Sequence, residues 1–349
     1  QAYTPIILNY NRIRCKVIRM DIQTVTSNYF CGLGKTLSGA LARIVESLVE
    51  SGSCSTYEIA RAMSRRNQRD FNTNEKNIIY WLPNPRFQVD DQFWRMHMQM
   101  IFDMMREHQQ IEKGQVIPIQ VDFTSIENHF LILSASVVFH DRAVPLYFTM
   151  RVYPKKENTY DHKKMESAFL KGLKHALSKQ YRYAIVADRG FGNARFVAAC
   201  ADAGFDYVIR IEPNMRAKIG ENEGILGDIA QEGQQKVSLK NWHADQDVWV
   251  KSEGDSRWVI VSNVADRDAV EIYEKRFKIE KLFQDLKSSG FDIESSKIRK
   301  YDRFKRMAVL CMIAHSLLVF IGYCVREKLP QFLKKSPVTE IGRASCRER

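Results

Sequence analysis

The segment Ile272 to Lys287 carries two stripes at helical spacing, and together they constrain the chain more than any other stretch. Read as one α-helix at about 100° per residue, it brings Tyr273, Arg276, Glu280 and Lys287 within a roughly 60° arc. Beside them Ile272, Ile279, Phe283 and Leu286 form an apolar stripe that would seat the helix on a core. A phenol, two cations and a carboxylate thus line the rim of something buried. A helix serving only as a solvated surface would scatter such charges.

The remaining sequence supplies other acids and a sheet to hold them. From Gln115 the pattern turns to strands: Val116 to Val121 runs into Asp122, and Phe130–Phe139 and Val144–Val152 flank the turn residues His140, Asp141 and Arg142. Three adjacent antiparallel strands are expected there. A helix from about His162 to Leu177 precedes the strand Tyr183–Ala187, which ends at Asp188-Arg189-Gly190. Asp188 therefore falls at a strand's C-terminal edge, where α/β sheets place their ligands. A crossover helix, Asn193–Ala203, and a further strand, Tyr207–Ile211, complete a β/α alternation. Between Glu212 and Asn263 five glycines and Trp242, Trp249 and Trp258 punctuate short strands, predicting a β-rich insertion that stands apart from the main sheet.

The front of the chain reads as helical. Leu37, Leu41, Val45, Leu48 and Val49 repeat at helical spacing, Gly52 breaks the run, and Ser55-Thr56-Tyr57-Glu58 opens a second helix with a capping-type start. Its continuation bears Arg61, Arg65 and Arg66 in the manner of a helix-turn-helix unit. A methionine-rich helix from Asp90 to His108 reads as core packing.

Composition bears on partners. Lysine and arginine number 53 against 41 acids, a formal charge of +12, which favours a polyanion such as nucleic acid. The seven cysteines form no C-x-x-C pair and fit a reducing cytoplasm better than a disulfide framework or a zinc site. Met307 to Val325 is apolar and long enough to cross a bilayer. His315 and Ser316 at its centre, and positive residues on both flanks, favour a central packed helix over a membrane span. No G-x-x-x-x-G-K phosphate loop is present, which disfavours an ATP-driven enzyme.

Asp122, Asp188 and Glu280 can be assembled into one site. Three convergent carboxylates repel one another unless a divalent cation neutralises them. Magnesium or manganese suits oxygen ligands. Two such ions about 4 Å apart serve phosphoryl transfer. Arg276 and Lys287 are suited to hold phosphate oxygens, and Tyr273 to donate to phosphate or stack on a base.

The Y-x2-R-x3-E-x6-K pattern, preceded by Val121-Asp122-Phe123-Thr124 and Ala187-Asp188-Arg189-Gly190-Phe191-Gly192, resembles the DDE transposases of bacterial insertion sequences, in the subgroup with that Y-R-E-K signature. The likeness covers about residues 115 to 325, and the four-residue pattern alone should arise by chance about once per 10⁵ starting positions. It implies an α/β fold: an RNase H-like mixed sheet with flanking helices, a β-rich insertion before the last catalytic acid, and an all-α N-terminal domain.

The implied limits are a non-native leader at 1–19, a helical DNA-binding domain at 20–112 and the first part of the catalytic core at 113–212. The insertion follows at 213–263, the last part of the core at 264–330, and an artefactual tail at 331–349. The resemblance further implies cut-and-paste DNA strand cleavage and transfer at insertion-sequence ends, with Asp122, Asp188 and Glu280 as the catalytic, metal-binding triad for two Mg²⁺ or Mn²⁺ ions. Tyr273, Arg276 and Lys287 become contacts to phosphates near the cleaved end, and Arg189, Arg210, Arg61, Arg65 and Arg66 further DNA contacts. In some members an insertion tryptophan handles a flipped base, a role open to Trp242, Trp249 or Trp258. The partners implied are double-stranded DNA, as terminal inverted repeats and target, and a second copy of the chain when the ends are paired. The alternative is a transposase-derived DNA-binding protein without chemistry.

Overall fold

The computed structural model describes residues 22–328 except 113, 128, 154–161, 255 and 266. The expected leader and tail lie outside the described residues. Five helices open the chain. α1 (Ile22–Tyr29) leads into α2 (Lys35–Ser51), whose Leu41, Ile44, Val45, Leu48 and Val49 are buried at helical spacing. Gly52 closes α2 in the left-handed conformation at φ 62°, its N–H donating to the Leu48 carbonyl, a geometry that glycine adopts without Cβ strain. α3 (Thr56–Asn67) starts where expected, although the Ser55 side chain makes no capping hydrogen bond. Asp70 does cap α4 (Phe71–Trp81), accepting from Thr73 N. α5 (Asp91–Glu107) buries Met98, Met100, Met104 and Met105 around Phe93 and Trp94, as core packing requires.

The strands then build one mixed sheet. β1 (Val116–Ile126), β2 (Phe130–Phe139) and β3 (Arg142–Val152) pair antiparallel in succession. α6 (His162–Ala176) returns the chain to β4 (Arg182–Ala187), and α7 (Ala194–Asp202) to β5 (Asp206–Arg210). β4 lies parallel to both β1 and β5. The run Tyr183 to Ala187 is buried throughout, as a parallel strand covered on both faces must be.

β6 (Arg216–Ile219), β7 (Asn222–Ile225), α8 (Leu226–Ile229), β8 (Gly233–Leu239), β9 (Gln246–Glu253) and β10 (Ser256–Ser262) follow. The strand order is β3-β2-β1-β4-β5-β10-β9-β8-β6-β7, ten strands in one sheet. This corrects the expectation of a segment apart from the main sheet. β10 pairs antiparallel with β5 through Val261↔Ile209, and fully buried Val259, Ile260 and Val261 make β10 an interior strand. The pairing satisfies the backbone groups that an exposed β5 edge would leave open.

The stretch predicted as one helix is broken into four pieces. Asp268 caps α9 (Ala269–Glu274), a 3-10 turn spans Lys275–Phe277, α10 covers Lys278–Gln284, and a π-helical turn covers Asp285–Ser289. The π turn ends at Gly290, where a Cβ would lie 2.4 Å from the Asp285 carbonyl oxygen, so the chain closes there only with glycine. Such 3-10 and π interruptions mark places where side-chain direction is adjusted at a cost in helix geometry. Ile272 and Ile279 still face the core as the apolar stripe requires, with Leu286 packed against it.

α11 (Tyr301–Lys328) runs through the centre of the molecule, packing on α2 and β3. It is long and apolar enough to cross a membrane, yet 72% of its apolar window is buried inside the protein. Met307, Val309, Leu310, Ile313, Ala314, Leu317 and Phe320 have essentially no exposure. His315 and Ser316 are buried as well, the Ser316 hydroxyl donating to the Met312 carbonyl at 2.8 Å.

Candidate active site

The parallel register of β1 and β4 pairs Val121 with Ala187, so the next residues, Asp122 and Asp188, stand side by side. Asp122 does not end its strand. β1 continues to Ile126 against β2, and Asp122 marks instead the point where pairing to β4 stops. Each carboxylate is oriented by a local backbone donor: Phe123 N to Asp122 Oδ1 at 2.8 Å, and Gly190 N to Asp188 Oδ1 at 3.0 Å. The aromatic residues that follow the two acids, Phe123 and Phe191, stack with centroids 5.3 Å apart and rings 4° from parallel. That contact ties the acid-bearing stretch of β1 to the loop after β4. Gly192 allows that loop to lie against β5, since a Cβ there would come 2.5 Å from the Arg210 carbonyl oxygen.

Arg276 joins the third acid to this pair. Its side chain is 6% exposed, with Nη1 3.3 Å from Asp122 Oδ2 and Nη2 2.8 Å from Glu280 Oε1. The four-residue step from Arg276 to Glu280 is the spacing at which helical side chains meet. Burial and the neighbouring Asp188 charge push the Asp122 carboxyl up to about 6, with Glu280 adding to the rise. Arg276 and the Phe123 N–H oppose it. One guanidinium therefore bridges two carboxylates, Asp122 and Glu280, with the Asp188 charge close enough to raise Asp122.

The donor set consists of carboxylate oxygens, which suits a hard divalent cation, and the mutual repulsion at Asp122 is the condition that such a cation relieves. Among the described residues no three acid, histidine or cysteine side chains stand close enough to share one ion. Arg276 lies between Asp122 and Glu280, so the convergence is one of charge before it is one of coordination.

The other predicted residues divide. Tyr273 is buried at 1% exposure rather than lining an open rim, packed against Trp258 at 5.5 Å. Burial raises its phenol, while the Arg276 and Arg210 charges lower it. Lys287 lies in the π turn, makes no hydrogen bond or ion pair among the described residues, and is lowered by burial with Glu294 as its charged neighbour. Arg189 pairs with Glu212 at 3.5 Å, and Arg210 donates to the Arg257 carbonyl at 3.3 Å while lying over the Trp258 ring. In the front helices Arg61 stands 4.0 Å from Glu58, Arg65 reaches Glu50 at 3.3 Å, and Arg66 bonds both Glu46 and Glu50.

The structure separates the three tryptophans. Trp242 packs on the main core and Trp249 buries an unpaired indole N–H, but Trp258 lies between Lys251 and Arg210, beside Tyr273 and half-exposed Phe277. Phe277, its ring 4.4 Å from the Arg276 guanidinium, had no mark in sequence beyond its place after that arginine. Sequence reading also missed Asp285. Its carboxylate accepts from Arg142 at 3.4 Å, pairs with Lys281 at 3.3 Å, and lies 3.7 Å from His315 Nε2 on α11. Burial would raise this acid, but His315, Lys281 and Arg142 hold it below the usual carboxylate range. The end of α10 is thereby fastened to the core, a distant pairing that no local pattern announces.

A sheet in the order β3-β2-β1-β4-β5, with one acid on β1, a second just past the end of neighbouring β4 and a third on a helix packed beside them, is consistent with an RNase H-like transposase. Residues 133–317, more than half of the chain, match the family described as Transposase DDE domain, and the chain belongs to that family. The matched residues include Asp188 and Glu280 and begin beyond Asp122. A transposase role, a DNA substrate and a divalent metal requirement are what that family generally entails. No curated protein matches the chain.

Proposed function

We propose that the protein is a transposase of the Y-R-E-K subgroup that cuts and joins DNA strands at the ends of an insertion sequence. The observation that carries this reading is the adjacency of Asp122 on β1 and Asp188 just past parallel β4, linked to Glu280 through buried Arg276. Magnesium or manganese ions, when bound, would neutralise the three carboxylates, activate the attacking oxygen and stabilise the leaving one. The protein's own part is positioning. Backbone N–H groups of Phe123 and Gly190 hold one oxygen of each aspartate and leave the other directed elsewhere. Arg276, already charged and desolvated, offers a fork to a phosphate that competes for it. Trp258, flanked by two cations, is the tryptophan that supports the base-handling role. A second copy of the chain, acting on paired ends in the cytoplasm, belongs to the same reading.

The test uses the purified chain, magnesium and a duplex ending in the inverted repeats that flank its gene. The wild type should nick and join this DNA, and Asp188→Asn or Glu280→Gln should lose at least about a hundredfold in rate while retaining duplex binding. Arg276 standing between two of the acids favours a second reading, a transposase-derived DNA-binding protein without chemistry. Binding by the wild type with no metal-dependent cleavage would establish that alternative and overturn the first.

A further inference from the structure

Helices α3 and α4 are joined by three residues, Gln68, Arg69 and Asp70, with Gln68 in the left-handed conformation at φ 56°. Two helices connected by so short a turn form a unit whose second helix can enter the major groove of DNA. Their crossing is fixed from inside. Asn74, buried on α4, donates to Ser64 Oγ at 2.9 Å and to Asn67 Oδ1 at 3.1 Å, and Asn67 Nδ2 donates back to Asn74 Oδ1 at 3.1 Å. Tyr57 and Phe71 pack with centroids 4.9 Å apart at the starts of the two helices. At the far end Arg306 of α11 donates to the carbonyls of Leu82 and Phe87, both at 2.9 Å. Ile78 and Trp81 bury the inner face of α4.

The outer face is left unpaired. Asn72, Lys76, Asn77 and Tyr80 are exposed, Tyr80 to 70%, and none makes a side-chain hydrogen bond or ion pair among the described residues. At about 100° per residue they fall within a roughly 140° arc, and Glu75, the one acid on α4, falls outside it. Amides and a lysine presented this way match the donor and acceptor pattern of base edges: asparagine pairs with adenine, lysine with guanine, and an apolar ring surface packs on a thymine methyl. A negatively charged partner is the one that the +12 of the chain favours. α3 is not equivalent. Arg65 and Arg66 are engaged by Glu50 and Glu46, so they brace α3 against α2 rather than face a groove.

We infer that α4, rather than the arginine-bearing α3, is the helix that reads DNA sequence, with Asn72, Lys76, Asn77 and Tyr80 against base edges in the major groove of duplex DNA. Arg61 and Arg69, exposed beside it, would meet the flanking phosphates. The inference rests on the proposed action on DNA ends but not on the strand chemistry.

The experiment is selection of a randomised duplex library on the full chain, followed by affinity measurement on the enriched duplex and on a scrambled one. Wild type should enrich one motif. Asn77→Ala and Asn72→Ala should each bind that motif about tenfold more weakly, with affinity for the scrambled duplex changed less than about threefold. Lys76→Gln, which removes the charge while keeping a polar side chain only one atom shorter, should shift the enriched motif at one position. Thermal melting of each variant should match wild type, since the four side chains are exposed; Tyr80→Ser provides a second probe if one asparagine variant melts early. Variants that enrich the wild-type motif with wild-type affinity would overturn the inference, as would a wild type that enriches no motif. A motif that moves with α4 while no cleavage is seen would refute the catalytic reading and leave this one standing.

Discussion

Replacing Asp122 with asparagine should stabilise the metal-free protein at neutral and alkaline pH. The wild-type carboxyl rises from 3.8 to about 6 because burial and the Asp188 charge disfavour its ionised form. At about 1.4 kcal/mol per pH unit, that rise corresponds to roughly 3 kcal/mol. The side chain is 20% exposed, so solvent screening removes little of this. The sign follows from proton counting. Between pH 3.8 and about 6 the folded state binds more proton than the unfolded chain, so stability is full below pH 3.8 and falls as pH rises through 6.

Asp122→Asn removes that loss. It also weakens one contact of Arg276, which keeps Glu280, at a cost of about 1 kcal/mol. At pH 8 in EDTA the variant should therefore be more stable than wild type by about 2 kcal/mol, and below about pH 4, where only the lost contact remains, it should be the less stable of the two by about 1 kcal/mol. Urea unfolding across that range reads both numbers from the midpoints. Saturating magnesium should raise the wild-type midpoint more than that of the variant. Parallel pH profiles for the two proteins, or a variant less stable at pH 8, would refute the reasoning.

Other perturbations follow from the same contacts. Phe191→Ala removes a fully buried ring and its stack on Phe123, and should cost about 3–5 kcal/mol by urea unfolding. Gly192→Ala drives a methyl against the Arg210 carbonyl, and should destabilise by about 1–3 kcal/mol with a slower strand-cleavage rate, because the Asp188 loop must move. Leu317→Ala in α11 should cost about 2–5 kcal/mol, while the wild-type chain stays in the supernatant of a detergent-free extract. His315→Gln should lower the cleavage rate more than duplex affinity, a split that follows if His315 acts through Asp285 on the end of α10.

What was legible in the sequence was what burial writes with a period. The strands β1 to β5, the helices between them and the methionine face of α5 all follow from apolar spacing, and the three acids could be placed near strand edges or on a helix face. Three features escaped. The attachment of β10 to β5 is a pairing between residues 50 apart at Ile260↔Arg210, and nothing local specifies it. The 3-10 and π turns around Arg276 and Asp285 break a sequence whose period is continuous, because tertiary contacts override helix geometry there. The role of α4 was masked by its amides, which carry no charge signal, while the conspicuous arginines of α3 are held by Glu46 and Glu50.

These departures gather where the charges are. A chain built only for stability would not bury an aspartate beside two other acids with one guanidinium among them, since each unpaired buried charge costs several kcal/mol. Nor would it interrupt a helix twice to aim Arg276 inward and anchor Asp285 to α11. Local rules fail here together, and sites that fail them in concert are the ones where stability has been spent on function. Arg276 shows which way the exchange runs. It is buried and bonded to Asp122 and Glu280, so it holds these two acids in place. Substituting Arg276→Lys keeps one positive charge but loses the two-pronged contact. The acids should then drift apart, and metal-dependent cleavage should fall further than duplex binding. An equal fall in both would mean that Arg276 serves only to grip DNA.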